Sequence, residues 1–397
     1  MDELLEKFIK KIEVTQLQFT RNMMNDIDWT ARLIGLRGAR GVGKTTLLLQ
    51  YIKKNLKLDG TSLYTSLDNI WWAENRPVDV ASEFVRKGGR YLFLDEVHHY
   101  PTWRQEIKNI YDDHPELKIV FTGSSLLELL DARADLSRRA VMYHMQGLSY
   151  REYLNIRLGL DFEVIRLDEL LEDPVPLAQM VNRKIKPLQH FDDYLKNGYY
   201  PFFMEGKTGY HHRIEEILNM ILEIELPLQR GVDPAYVIKM KQLLQIIAES
   251  VPFIPNVSKL SNRMKINRNT LVTYLHYLQE ARLIAHLYKD AKGISRLQKP
   301  DKIYLENPNL PFTLAGKNAG KGNIRETFFI NQVAYQNKIE YIDQGDFRIN
   351  DQTTIEVGGK NKSFEQIRGI ENAYIAADDI EYGGNKRIPL WLFGFLY

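Results

Sequence analysis

The chain has 397 residues, 44% hydrophobic and 26% charged, with a formal net charge of +2. This is ordinary for a globular protein and too long for a single hydrophobic core, so several domains are expected. The absence of cysteine excludes disulfides, thiolate metal sites and cysteine nucleophiles, and no apolar run reaches the ~18–20 residues of a membrane span.

The start, MDELLEKFIKKIEV, interleaves charge with apolar residues at helical spacing, unlike a secretory signal or an acid-poor transit peptide. A cytoplasmic location and no membrane partner are therefore expected. Next, LIGLRGARGVGKTTLLLQ (33–50) fits G-x-x-x-x-G-K-[ST], with an apolar strand before it and a helical run after it. The loop Gly38, Ala39, Arg40, Gly41, Val42 and Gly43 would turn its N–H groups toward phosphate oxygens at a helix N-terminus. Lys44 would meet the β and γ phosphates, Thr45 would hold Mg²⁺, and Thr46 completes the stretch. ATP and Mg²⁺ are the implied ligands. A glycine-rich turn with an exposed lysine is the plainer alternative, and the strand–loop–helix context argues against it.

A strand is expected over Thr61–Leu67 and a helix over Val78–Lys87. YLFLDE (91–96) reads as a buried strand ending in two acids. Asp95 is placed to hold the metal through water, and Glu96 to polarise the attacking water. The Thr61–Leu67 strand, inserted between the two motifs, together with the glutamate marks the additional-strand class of P-loop ATPases. DEVH (95–98) also fits a helicase DExH box, but 37–145 completes one α/β unit and no second such core follows. His98 and His99 are sequence neighbours, which do not share a helix face, so no joint metal site is expected.

Lys118–Thr122 is the next strand, running into Ser124 and Ser125, where a polar side chain would sense the γ-phosphate. Arg138 and Arg139 precede a fifth strand; an arginine there can reach the γ-phosphate of a neighbour in a homo-oligomer, and a solvated pair on a loop is the alternative.

In this order, RGARGVGKTTLL, YLFLDEVHHYPTW, KIVFTGSS and GLSYREYL resemble the bacterial and archaeal AAA+ ATPases that carry a C-terminal domain of unknown function. The resemblance runs the full length. It implies Ser124 or Ser125 as sensor and Arg139 as the finger-like arginine, although the family's usual Gly-Arg is here Ser137-Arg138-Arg139.

Residues 147–235 read as helices broken by Pro174, Pro176, Pro187 and Pro201, the expected helical lid over the nucleotide. Residues 236–302 then hold 12 Lys/Arg against 4 Asp/Glu, a net +8 that leaves −6 elsewhere. Helices are expected over 239–250, 258–265 and from Asn267 onward, followed by a basic hairpin (283–305). That order suits a winged helix-turn-helix. Leu271, Leu275 and Leu278 should face its core, with Arg268, Asn269 and Thr273 outward. Double-stranded DNA is the expected partner; a protein-docking module is the alternative.

For residues 306–397 the family resemblance implies a fold like the PD-(D/E)XK nucleases. Glu326, Asp346 and Glu356 fall on three metal-binding positions, but Gly358 stands where the lysine belongs. Lys360 keeps the strand parity yet lies ~6–7 Å further along, and only a bulge at Gly358-Gly359 would return it. A nuclease-like fold without cleavage is expected.

The expectation is thus an α/β P-loop ATPase of AAA+ type (1–146) with a helical lid (147–235), a winged helix (236–305) and a nuclease-like α/β domain (306–397). It would act as an ATP-driven switch or remodeller on nucleic acid. The alternatives are a signalling ATPase with protein partners and an ATP-gated, metal-dependent nuclease.

Overall fold

The computed structural model describes residues 1–123, 136, 138–250, 254–289, 300–384 and 386–397. They form two compact units, Met1–Gly147 and Leu148–Tyr397.

The first unit is a parallel α/β sheet of five strands: β1 (Leu33–Gly38), β2 (Ser62–Ser66), β3 (Tyr91–Asp95), β4 (Lys118–Gly123) and β5 (Val141–Met145). Their spatial order is β2-β3-β4-β1-β5. β1, β3 and β4 are apolar runs because a parallel strand inside such a sheet is covered on both faces. The strand lying between β1 and β3 is β4, whereas β2, the one between the two motifs in sequence, sits at the sheet edge. The additional strand therefore comes after the second motif in the chain and between the motifs in space. Close approach of β5 explains two glycines of β1. A Cβ on Gly35 would stand 2.3 Å from Met142 Sδ, and one on Gly38 2.2 Å from the Met145 carbonyl.

Among the described residues this unit has, beside the single turn Met23–Asp26, four longer helices: α1 (Asp2–Val14), α2 (Lys44–Asn55), α3 (Pro77–Arg86) and α4 (Trp103–Asp113). α1 buries Leu4, Phe8 and Ile12, spaced by four so that they share one face. Leu4 joins Leu63, Phe84, Trp103 and Phe121 in the core.

The second unit begins with α5 (Tyr150–Leu158), whose start is fixed by a capping box of Ser149 and Glu152. α6 (Leu167–Glu172), α7 (Pro174–Lys184) and α8 (Pro187–Asn197) follow, the last two with proline in the first turn, where its missing N–H has no helical partner to lose. Within this unit Tyr150, Tyr153, Phe191 and Tyr194 share one core with Phe328, Trp391 and Phe395 of the C-terminal region. α9 (Tyr210–Asn219) runs through a π-helical turn, Met220–Glu225, into α10 (Leu226–Arg230).

Then come α11 (Val237–Glu249), α12 (Val257–Met264) and α13 (Arg268–Glu280), with an antiparallel ladder of β6 (Ile284–Leu287) and β7 (Lys302–Leu305). Asn267 caps α13, its side chain accepting from the Thr270 N–H at 2.7 Å. Leu271, Leu275 and Leu278 are buried as the spacing requires. α14 (Asn309–Ala315) and α15 (Lys321–Val333) lead to a mixed sheet in the order β12-β11-β10-β9-β8. Its strands are β8 (Ile339–Tyr341), β9 (Phe347–Ile349), β10 (Thr353–Gly358), β11 (Ala373–Ala377) and β12 (Arg387–Pro389). No helix among the described residues is long and apolar enough to cross a membrane.

Candidate functional site

The loop between β1 and α2 turns on Gly41 (φ 82°) and Gly43 (φ 99°), left-handed positions that glycine occupies without a Cβ clash. Gly43 is the N-cap of α2, so the helix opens with its first N–H groups directed at the loop. Lys44 is buried, and its Nζ donates to the carbonyls of Gly38 and Ala39, each at 3.0 Å. Thr46 is exposed on the next position of the helix, while Val42 is buried. Arg21, which the motif gives no reason to single out, is also buried. Its guanidinium donates to the Val42 carbonyl at 3.0 Å and to the Gln146 and Gly147 carbonyls at 2.8 and 2.9 Å.

Parallel pairing of β3 with β4 and β2 brings a polar group together at the C-terminal strand ends. Thr45 Oγ1 donates to Asp95 Oδ2 at 2.6 Å and Tyr64 Oη to the same oxygen at 2.7 Å. Thr122 Oγ1 donates to Asp95 Oδ1 and accepts from the Glu96 N–H at 3.2 Å. Asp95 is 1% exposed, so these donors replace the water a carboxylate would otherwise hold. Burial and the neighbouring Asp95 charge push the Tyr64 phenol far up, so it stays a donor. An all-oxygen set of hydroxyl and carboxylate suits a hard divalent cation. Tyr64 and Thr122 lie in apolar strands, and only the strand register reveals them.

Glu96 follows with φ 51°, a left-handed conformation that costs a non-glycine residue on the order of 1 kcal/mol. A tight 3₁₀ turn, Val97–His99, then reverses the chain. The turn brings the two histidines together, a geometry that helical spacing does not offer. Their ring centroids lie 4.3 Å apart, and ligand atoms of Glu96, His98 and His99 all fall within 4.8 Å of one another. It is the one such group of three among the described residues. Burial, reinforced by the charges of His99, Lys44 and Arg40, pushes the His98 imidazole down to about 3, so it is neutral. His98 Nε2 and Glu96 Oε2, 3.7 Å apart, thus form neither an ion pair nor a hydrogen bond. That carboxylate oxygen is buried with no hydrogen-bond partner.

Ser124 and Ser125 lie outside the described residues. Arg139 grips Asp112 of the same chain in a two-pronged pair, at 3.0 and 3.1 Å. Arg138 is the exposed arginine of the two.

In the second unit, Arg268, Asn269 and Thr273 project outward from α13 and line a groove of about 970 Å³ together with Tyr236, Tyr274 and Tyr277. Not all of the basic block is available. Lys241 pairs with Glu223, Lys289 with Asp343, and Lys302 is buried. Lys259, Arg263, Lys265 and Arg268 are exposed around the α12–α13 turn.

Glu326 on α15, Asp346 just before β9 and Glu356 on β10 have separate partners. Tyr304 Oη donates to Glu326 Oε2 at 2.5 Å, the Val357 N–H to Asp346 Oδ2 at 2.8 Å, and Lys362 Nζ reaches Glu356 Oε1. Lys360 is exposed. A turn closed by the Lys362 N–H on the Gly359 carbonyl, 3.0 Å, returns Lys362 instead. Its side chain lies across Gly358, where a Cβ would come within 2.7 Å of it. Gly358 is thus the space that lets the later lysine reach the acid. Burial raises all three carboxyls, Glu326 to about 7, and the Asp346 charge adds to this at Glu326 and Glu356. Lys302 beside them acts in the opposite direction.

Residues 30–154 match a protein-family profile described as an AAA domain, and residues 188–320 one described as a domain of unknown function (DUF8612). No curated protein matches the chain. Among solved structures it is similar to the Walker-type ATPase of Pyrococcus abyssi, at 13% identity and a TM-score of 0.42, over 75% of this chain and 96% of that one. It is also similar to AMPPCP-bound DnaA from Aquifex aeolicus, at 16% identity and 0.27, over 65% and 85%. The first unit has an α/β P-loop fold, and the AAA-domain match spans most of it.

Proposed function

We propose that the chain binds ATP with Mg²⁺, hydrolyses it, and couples the cycle to nucleic acid held by residues 236–302. The observation that carries the nucleotide reading is the contact of Thr45 with Asp95, which joins the two motifs at the strand ends. Lys44, now held by the Gly38 and Ala39 carbonyls, would exchange them for phosphate oxygens. Thr45 and Asp95 would hold the cation, which when bound supplies positive charge to the phosphates. Glu96 would polarise the attacking water, and Thr122, bonded to Asp95 and to the Glu96 backbone, would position both. Ser124 is kept in the sensor role and Arg138, the exposed member of the pair, in the finger role of a homo-oligomer.

For the second unit the functional divisions are taken as 147–235, 236–305 and 306–397. The exposed set Lys259, Arg263, Lys265 and Arg268 supports contact with a phosphate backbone from a winged helix. The individual partners of Glu326, Asp346 and Glu356 support a nuclease-like fold whose acids serve as structural partners rather than as a cleavage centre. The test is ATP turnover with and without double-stranded DNA across salt concentrations. Turnover that rises with DNA at low salt and relaxes at high salt is expected. Stimulation by a protein alone would make the basic module a docking surface.

A further inference from the structure

We propose that Glu96, His98 and His99 form a binding site for a borderline divalent cation, Zn²⁺ in the first instance, and that its occupancy arrests hydrolysis by capturing the Glu96 carboxylate. The arrest rests on the ATPase reading above; the binding does not.

Three observations converge. The 3₁₀ turn that follows the left-handed Glu96 gathers one carboxylate and two imidazoles within 4.8 Å of one another. Tetrahedral zinc with bonds of roughly 2.0–2.1 Å holds its ligands about 3.3 Å apart. The His98–Glu96 separation of 3.7 Å already approaches this, and a rotation of His99 closes the rest. Second, Glu96 Oε2 is buried with no hydrogen-bond partner, a carboxylate oxygen that a cation would satisfy. Third, His98 is buried and His99 exposed, so the site combines an anchored ligand with one that swings in from solvent.

The chemistry separates this site from that of the nucleotide's own cation. Two imidazoles and one carboxylate favour Zn²⁺ and its neighbours in the transition series, whereas Mg²⁺ prefers oxygen ligands such as Thr45 and Asp95. Three protein ligands leave a fourth position for water. Cation and water substrate then compete for the same carboxylate, because an oxygen bonded to zinc no longer accepts a proton from water. A site adjoining the catalytic group would make the ATPase sensitive to free zinc without a separate regulatory domain.

The test is calorimetric titration of the untagged full chain with Zn²⁺ in excess Mg²⁺ and no nucleotide, alongside ATP turnover at increasing Zn²⁺. One zinc per chain is expected, with affinity at least tenfold weaker in His99→Ala and in His98→Gln. The ratio of turnover with zinc to turnover without it should fall in the parent and stay near one in His99→Ala. Since His99 is exposed, that variant should fold. Unaltered zinc affinity in His99→Ala, or no binding by the parent, would overturn the site. A parent that binds zinc yet keeps its full rate would overturn the arrest. A parent that binds zinc with His99-dependent affinity but never hydrolyses ATP would sustain the site and sink the ATPase reading.

Discussion

Thr45 Oγ1 and Asp95 Oδ2 stand 2.6 Å apart although fifty residues separate them. The hydroxyl opens the helix after the glycine loop; the carboxylate ends a strand two places away in the sheet. With Tyr64 and Thr122 also donating to Asp95, the carboxylate is held in one orientation before any ligand arrives. Such preorganisation is what a cation site near phosphates requires.

Lys44→Ala should abolish tight ATP binding, since it deletes the buried ammonium of a loop otherwise made of dipoles. Glu96→Gln should keep binding and reduce turnover by about 10²–10⁴-fold, the usual contribution of a positioned acid or base. Nucleotide affinity and turnover measured on both variants check this. A Glu96→Gln protein that hydrolyses at the parental rate would show that Glu96 has no part in the chemistry.

The two adjacent arginines should separate by assay. Arg139→Ala removes an intramolecular pair at the surface and should cost at most about 1 kcal/mol of stability. Arg138→Ala should leave stability alone and lower turnover where the chain self-associates. Turnover against protein concentration distinguishes them: if only Arg139→Ala loses the concentration-dependent component, the finger role returns to Arg139.

Affinity for duplex DNA should fall with salt at a log–log slope of about −0.9 per phosphate neutralised. Arg268→Ala and Lys265→Ala should each weaken binding and flatten that slope by about one. Equal affinity in parent and variants at low salt would remove α13 from the DNA surface.

Stability should depend on pH through Glu326. Its folded pKa, about 7, lies above the ordinary carboxylate value because of burial. The folded state therefore binds the proton more tightly than the unfolded chain does. That contribution is fully present below about pH 4.5 and is lost as pH rises through 7, on the order of 1.4 kcal/mol for each pH step crossed between the two values. Glu326→Gln keeps the Tyr304 hydrogen bond without the titration. Denaturant midpoints should show it gaining on the parent at pH 8 relative to pH 5; parallel midpoints at both values would refute the assignment.

The sequence is informative where the chemistry is local. The glycine loop, Lys44 and Thr45 are consecutive, so their geometry follows from one turn, and the Asn267 cap and the Leu271–Leu275–Leu278 face follow from helical spacing. What escapes it depends on chain reversals and strand register. Thr122 and Tyr64 reach Asp95 only because β2, β3 and β4 pair in parallel. Lys362 replaces Lys360 because a turn at Gly359 shortens the path, where extended-strand arithmetic gives only distance. Adjacency separates His98 from His99 on an α-helix, but a 3₁₀ turn after a left-handed residue follows another rule. The segment 148–197 carries ordinary amphipathic signals, and nothing local tells that its aromatics belong with Phe328 and Phe395.

Arg21 gives the glycine loop a mechanical neighbour. One guanidinium clasps the Val42 carbonyl inside the loop and the last two carbonyls before the chain leaves the first unit. The planar, always-charged group resists deformation, and losing a charge-assisted hydrogen bond in a buried setting is expensive. Val42 cannot shift far without either dragging residues 146–147 or breaking that clasp. A shift of the loop at Val42 would therefore reach the exit peptide across one side chain, in addition to the direct pairing of β1 with β5.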